Sequence, residues 1–569
     1  MIKLFGLSKK NAVSDSNSLD LVNITSPTLN NKDIFSTISS TRELISSQNY
    51  ADYDNCFVWV DGEVFNLESA CLKLNINAQD LPRALLVADK NGILKKLLNI
   101  LDGSFCFVLY DLAKKRVKIS VDRYGMKMIY WSYTNNQLIW STEVKDIVRV
   151  NKSSLTMDAE SYDMFMELGY LLEDRTFFKE VRLLKPASIL TYELEGKEDP
   201  KDTHYWAWSE IQQKDISFED AVEQLGELFI NAVKKRFLSQ ERVGIALSGG
   251  LDSRAILAAF STTFPDYKGY LFTFGTPKSE DVLIAREVAK FIGWEHEVFY
   301  FNHENWLKPR FDMAWKTDGM QDMMHMHGSE FLQTVANKVD VNLNGFLGDA
   351  IFGGSYFRSA SLVNKRINKT IADRYYRGFS RDCFVESSFF DIDHIDPFLY
   401  VNRGRRFINM GLVNASTFLN QRTPFFDNQL VEFIFSINDE YRLNNRLYEA
   451  MLLRFFPDYF EDIRWQKTGV PISRKFNFWE ALSNKLRRKW KKLKNQAGYT
   501  DYPGWIREES NRCILQKVLE QNKAMQCGLT DVDVNKTYLQ PHLKNKNVDN
   551  SRKILRAVTV ETFLQRAQF

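Results

Sequence analysis

Residues 243–247 (VGIAL), followed at once by Ser248-Gly249-Gly250-Leu251-Asp252-Ser253, constrain this chain more than any other feature. The apolar run reads as a short buried strand, and helical spacing resumes from Asp252 to about Phe260. Glycines between them let the backbone turn tightly and approach a ligand closely. A helix that starts there offers unpaired N–H groups and the positive end of its dipole, and Ser248 and Ser253 add hydroxyl donors. That is a site for phosphate or pyrophosphate. Asp252 would repel a bare phosphate and is better explained as a ligand of magnesium bridging the phosphates. The pattern around the motif repeats. A helix over 218–237, a strand over 270–274, a helix over 282–292 stopped by Gly293, and strands over 298–301 and 339–343 predict a parallel sheet with helices on both faces. From about Lys365 the chain reads as mainly helical.

Upstream the grammar differs. Residues 56–60 (CFVWV), 105–110 (FCFVLY), 117–121 (VKISV) and 128–132 (MIYWS) are short, β-branched or aromatic, and separated by turn signals. They predict a mostly antiparallel sheet with some helices, the first strand being stopped by Asp61-Gly62. The stretch to about Asp54 reads as loops and short elements. Two domains are therefore expected, an α+β sandwich over 1–205 and an α/β domain with a helical C-terminal part over 206–569.

Composition sets limits. With 75 basic against 72 acidic residues, the net charge of +3 gives no whole-protein argument for nucleic acid or an anionic membrane. The 44% hydrophobic and 26% charged content excludes collagen-like, mucin-like and wholly disordered chains. The 6 cysteines form no CxxC pair, which argues against structural zinc and for reduced thiols in a cytoplasm. No apolar run approaches the ~20 residues of a membrane helix, and MIKLFGLSKK does not read as a secretory signal. Residues 485–494 (KLRRKWKKLK) read as a solvated basic helix face or as a docking surface for an anionic or peptide partner.

SGGLDS after an apolar strand resembles the ATP-pyrophosphatase (PP-loop) signature, and ordered further motifs resemble asparagine synthetases. Residues 346–354 (FLGDAIFGG) are similar to GxGxDELFGG, 422–427 (RTPFFD) with Leu430–Phe433 to RxPFLDxxLVEF, and 465–469 (WQKTG) to the family's lysine loop. In the N-terminal half, 101–110 (LDGSFCFVLY), 122–125 (DRYG) and 141–145 (STEVK) are similar to LxGMFAFALW, DRFG and ASExK. The resemblance implies a class II glutamine amidotransferase (Ntn-like) domain ahead of a synthetase domain. It implies that Ser248, Gly249, Gly250, Asp252 and Ser253 hold the ATP phosphates, and that Asp252 and Asp349 bind Mg2+. Leu247, Phe274 and Gly345 fall at the adenine pocket, and Lys467 at the lysine that stabilises the adenylation transition state.

Departures qualify the implied activity. Ile2 stands where the amidotransferase needs a catalytic cysteine, and Asp61 replaces the oxyanion-hole asparagine, where a carboxylate would repel an oxyanion. Glu63 and Asp80 match the family's pattern, but without the nucleophile they cannot hydrolyse glutamine, and a degenerate domain with a structural role is expected; Cys56 is an alternative nucleophile. In the synthetase half, Phe346 stands where asparagine synthetases place a glutamate and related β-lactam synthetases a tyrosine, and Ala350 replaces the Glu of DELFGG. Phenylalanine cannot accept a proton, so His325 and His327, just upstream, are the candidate bases.

The expected function is an ATP-dependent, AMP-forming amide ligase. It activates a small-molecule or peptide carboxylate for attack by ammonia or an amine, works in the cytoplasm without nucleic acid or membrane, and leaves homo-oligomerisation open. Two alternatives stand beside it. One is a tailoring ligase, such as a lasso-peptide or β-lactam cyclase or a sugar-acid amidating enzyme. The other is an ATP-binding pseudoenzyme.

Overall fold

Two kinds of β-sheet divide the chain. The computed structural model describes residues 2–9, 27–40, 49–196, 198–238, 240–355, 367–379, 388–474 and 500–569; the basic stretch 485–494 lies outside them. The N-terminal strands are β1 (Ile2–Ser8), β2 (Thr28–Asn30), β3 (Ile34–Ser40), β4 (Tyr50–Tyr53), β5 (Cys56–Val64), β6 (Gly103–Asp111), β7 (Arg116–Val121), β8 (Tyr130–Thr134), β9 (Gln137–Ser141), β10 (Val181–Leu183), β11 (Ser188–Glu193) and β12 (Lys201–His204). They form two six-stranded antiparallel sheets, ordered β10-β8-β9-β1-β3-β2 and β12-β11-β7-β6-β5-β4. The period of two in β6 explains their stacking. Cys106, Val108 and Tyr110 pack with Leu4, Ile38 and Trp140 of the other sheet, while Phe105, Phe107 and Leu109 join the larger core on the opposite side.

Asp61 and Gly62 do not stop β5. The strand continues to Val64, with Asp61 opposite Cys106 and Val64 opposite Gly103. Gly62 has a φ of +129°, and a Cβ there would lie 2.1 Å from the Ser104 carbonyl oxygen. The glycine marks close strand contact, and the Asp61 carboxylate is tolerated in the ladder because Lys127 donates to both its oxygens at 2.9 and 3.1 Å.

The C-terminal strands are β13 (Val243–Ala246), β14 (Tyr270–Gly275), β15 (Glu295–Tyr300), β16 (Val341–Leu343) and β17 (Asn420–Arg422). All pair in parallel, in the order β15-β14-β13-β16-β17. The helix Phe218–Lys235 begins where the Ser217 hydroxyl accepts the Asp220 N–H, and it buries Ala221, Leu225, Phe229 and Val233 as its spacing predicts. Gly293, at φ +70°, ends the helix Glu280–Ile292 in the left-handed conformation. The strand β17 is polar and three residues long, with no pattern to announce it. Chain order runs outward in opposite directions from β13, so a crevice opens beyond the C-terminal ends of β13 and β16.

Buried arginines stitch the two halves together. Arg422 on β17 grips Glu63 of β5 at 2.7 and 2.8 Å, and Glu241 at 2.6 and 2.8 Å. Arg236 bridges Asp102 and Asp427. Arg405 donates to the carbonyls of Gly125 and Leu184 at 2.7 and 2.8 Å. The C-terminal helix Ser551–Arg566 joins the same seam, with Arg556 donating to Met166 and Leu168 carbonyls and pairing with Asp322. No helix among the described residues is long and apolar enough to cross a membrane.

Candidate active site

The crevice is built by two loops leaving adjacent strands. From β13, the Leu247 N–H donates to the Phe272 carbonyl at 2.9 Å, and its carbonyl accepts the Thr273 hydroxyl at 2.8 Å. The Ser248 N–H then donates to Ser253 Oγ at 3.1 Å, the two hydroxyls lie 3.2 Å apart, and the Gly250 N–H donates to Ser248 Oγ at 3.2 Å. The turn is thus folded onto the first residues of the helix Asp252–Thr263.

From β16, Gly345 and Gly348 bring the second loop against Asp252. A Cβ on Gly345 would lie 2.9 Å from Asp252 Cβ, and one on Gly348 2.7 Å from Asp252 Cγ. Leu347 between them adopts φ +56°, a conformation β-carbon-bearing residues seldom take. The result is a carboxylate pair. The Asp349 N–H donates to Asp252 Oδ2 at 3.0 Å, and the Tyr448 hydroxyl donates to Asp252 Oδ1 at 3.0 Å. The protein crowding Asp252 and the negative charge of Asp349 push its pKa up to about 8. Asp349 is raised too, by the protein around it, with the Lys467 ammonium acting in the opposite direction. Lys467 is exposed, extends 5.0 Å from the Trp465 ring centroid, and acts electrostatically on Asp252, Asp349 and Glu449.

This donor set suits one kind of metal. No group of three or more His, Cys, Asp or Glu side chains able to hold an ion occurs among the described residues. Two converging carboxylates fit Mg2+, which takes one or two carboxylates and completes its shell with phosphate oxygens and water. The short-of-charge pair, a loop of folded-back serines and a nearby ammonium are together suited to holding a polyphosphate and stabilising charge that grows on it.

Other residues singled out in the sequence make contacts of their own. Phe274 packs among Phe299, Phe301 and Phe331, and a Cβ on Gly328 would lie 2.7 Å from its ring. His327 reaches solvent yet is surrounded by protein; that surrounding, with Arg310, lowers its pKa, and Tyr502 Oη lies 3.1 Å from Nδ1. His325 lies 3.5 Å from Asp322 and 4.7 Å, centroid to centroid, from Phe407. The structure therefore joins Asp252, Asp349 and Lys467 to each other, and gives the two histidines contacts with Tyr502, Asp322 and Phe407. Phe346 is buried 5.2 Å from the Phe426 ring, beside Arg123, Tyr124, Met126, Trp208, Tyr400 and Arg405 at the junction of the two halves.

The amidotransferase-like positions are engaged structurally. Ile2 pairs with Ser40 in β1–β3. Glu63 belongs to Arg422, and Asp80 caps the helix Leu81–Lys90 by accepting the Arg83 N–H at 2.8 Å. The Cys56 thiol is pushed up by burial and by Asp111 and Asp89, the reverse of an activated nucleophile.

Tyr448 escaped the sequence reading, because a tyrosine inside the apolar spacing of the helix Arg446–Phe455 reads as core. So did Asp281, Gln466 and Arg254. Asp281 Oδ1 accepts the Gly249 N–H at 3.0 Å and Gln466 Nε2 donates to Asp281 Oδ2 at 3.1 Å, links that only tertiary proximity makes visible.

Comparison with known proteins agrees with this layout. A family profile described as asparagine synthase matches residues 224–403, and one described as a glutamine amidotransferase domain matches residues 48–206. Asparagine synthetase [glutamine-hydrolyzing] of Rattus norvegicus is 26% identical over 420 residues, covering 71% of this chain and 69% of that protein. The Homo sapiens enzyme of the same name is also 26% identical over 420 residues, with the same coverage. A putative asparagine synthetase [glutamine-hydrolyzing] 2 of Methanocaldococcus jannaschii is 25% identical over 322 residues, covering 55% of this chain and 61% of that one. Among solved structures, a glutamine phosphoribosylpyrophosphate amidotransferase of B. subtilis aligns at 10% identity and a TM-score of 0.21 over 47% of this chain and 66% of that chain, too slight a likeness to bear on the fold. Matched in order, the two profiles and these relatives support the chain as a member of the asparagine synthetase family and as a carbon–nitrogen ligase.

Proposed function

We propose that this ligase activates a carboxylate by adenylation and condenses it with ammonia or another free amine, without hydrolysing glutamine, the division between its two parts falling at 205/206. The observation that carries the reading is the convergence of Asp252, Asp349 and Lys467 on one crevice that is short of positive charge. In this reading Ser248, Gly249, Gly250 and Ser253 cradle the phosphates, and Leu247, Phe274 and Gly345 flank adenine. Asp252 and Asp349 would hold Mg2+, which supplies neutralisation of the phosphate charge. A carboxylate oxygen attacks the α-phosphorus, the bond to the β-phosphate oxygen breaks, and pyrophosphate leaves. Lys467 stabilises the charge that grows on it. The amine then attacks the acyl carbon and AMP departs. His325 and His327 are the candidates for accepting the amine's proton; a kcat loss in His325→Gln or His327→Gln at unchanged KM for ATP would identify it.

Loss of glutaminase rests on Ile2 in a strand, on Asp61 held by Lys127, and on Glu63 held by Arg422. The carboxylate is the finer question. Phe346, packed against Phe426, and the buried Ala350 offer no acid, which favours a tailoring ligase with a substrate other than aspartate. Free thiols at Cys56, Cys71, Cys106, Cys513 and Cys527 fit a reducing cytoplasm. The test is pyrophosphate release from MgATP over a panel: aspartate with glutamine, aspartate with ammonium, and other acids and peptides. Release with aspartate and ammonium only is expected of a synthetase, and release with another acid only of a tailoring ligase. Release of glutamate from glutamine would overturn the proposal, and ATP binding without release on any substrate would point to a pseudoenzyme.

A further inference from the structure

Arg254 occupies an unusual position. It stands in the first turn of the helix Asp252–Thr263 with no accessible surface, and its guanidinium donates to a run of main-chain carbonyls. Nη1 reaches the Ile463 carbonyl at 3.1 Å and Nη2 the Arg464 carbonyl at 3.0 Å, with longer contacts of 3.4 Å to Tyr459 and Gly249. The ring of Phe460 lies 5.3 Å away. A buried cation is unfavourable unless its donors are satisfied. Nε is buried without a partner, and the acceptors for the two Nη groups come chiefly from the stretch that leads into Lys467.

Further ties join these segments, directly or through the start of the helix Glu280–Ile292. The Gln466 N–H donates to the Gly249 carbonyl at 3.0 Å, and Gln466 Nε2 to Asp281 Oδ2 at 3.1 Å, while Asp281 Oδ1 accepts the Gly249 N–H at 3.0 Å. Arg464 pairs with Glu280 at 3.3 Å, and the Tyr459 and Ser261 hydroxyls lie 2.6 Å apart. Gly249 permits the contact, since a Cβ there would lie 2.8 Å from Gln466 Cβ.

We propose that Arg254 is a positioning residue for Lys467: by gathering the carbonyls of residues 459–464 it fixes the lysine loop against the phosphate-binding turn, so that an exposed, flexible side chain is delivered to the Asp252–Asp349 pair. The inference rests on the role given above to Lys467. The effect is expected in kcat rather than in nucleotide affinity, because the guanidinium donates chiefly to the carbonyls of residues 459–464 and only once, at 3.4 Å, to Gly249 of the phosphate-binding turn.

The experiment compares wild type with Arg254→Met and Arg254→Lys by amide hydrogen exchange and by steady-state pyrophosphate release from MgATP with the substrate the panel identifies. In Arg254→Met, exchange in residues 463–469 should quicken about tenfold while β13 and the helix Arg446–Phe455 stay protected. Its kcat should fall about 100-fold, the scale of an ångström-sized misplacement, with KM for ATP within about threefold. Arg254→Lys, which keeps the charge but not the fork, should recover part of both effects. Unchanged exchange in residues 463–469, or a raised KM with kcat intact, overturns the proposal. If no substrate supports release, the exchange difference still decides the clamp, so its failure and that of the functional reading remain distinct. Should Arg254→Met not fold, Arg254→Lys reads the same loop: faster exchange in residues 463–469 than in wild type is expected, and no change overturns the inference.

Discussion

Asp61 and Asp252 invite comparison: both are acidic residues brought close to other charged groups by a strand or the loop that leaves it, and the protein treats them in opposite ways. In the N-terminal half, Asp61 is matched by Lys127, and Glu63 by a fully buried Arg422. In the C-terminal half, Asp252 and Asp349 lean on each other, with Lys467 as the cation acting on both. The first pair of acids has been absorbed into the scaffold. The second has been left out of balance, and an unbalanced site is one that waits for a charged ligand.

The largest test of that contrast is Lys467→Ala or Asp252→Asn, each expected to lower pyrophosphate release about 10²- to 10³-fold. A loss under tenfold in both would break the comparison. Next comes the scaffold side. Arg422→Met strips two carboxylates of their partner and should lower stability by about 3 kcal/mol, read from the urea midpoint. A shift under about 1 kcal/mol would mean the Glu63 contact is incidental.

A smaller effect separates groups kept neutral from groups kept charged. His296 lies 2.9 Å from the Thr273 hydroxyl, and burial with Arg286 nearby holds its pKa down to about 4. As pH falls below 6.5 the unfolded chain takes up a proton that the folded one refuses until about pH 4. Stability should therefore drop across that window, and the drop should be shallower in His296→Asn, measured by denaturant titration at several pH values. The smallest expected effect is none at all. Replacing ammonium by glutamine should release no glutamate, in wild type and in Asp61→Asn alike, and glutamate production in either would restore the N-terminal half to catalysis.

Much of this was legible from residues alone. The run from VGIAL through SGGLDS to an apolar helix predicts β13, its turn and the helix after it, because strand, glycine pair and helical spacing are each local signals. The alternation in residues 105–110 likewise predicts β6. The failures have a physical pattern. Asp61-Gly62 looks like a terminator, but local propensity yields when a lysine 66 residues away neutralises the acid. The polar β17 has no signature, since its place is set by pairing with β16. Tyr448 and Arg254 look like core and helix, and their polar ends acquire meaning only from partners 196 and about 200 residues distant. At the site, what the sequence conveyed was the pair of acids and the lysine; what it withheld was how they are held.

The arginine seam bears on how the molecule comes apart. Two separate sheet systems would ordinarily melt in two steps, the weaker first. Here Arg236, Arg405, Arg422 and Arg556 each spend their donors across the boundary, and parting the halves would strand several buried guanidinium groups at once. Melting should then be a single cooperative event in calorimetry. Removing the N-terminal half would leave those guanidinium groups buried without their acceptors, so residues 206–569 expressed alone should be less stable than they are in the whole chain.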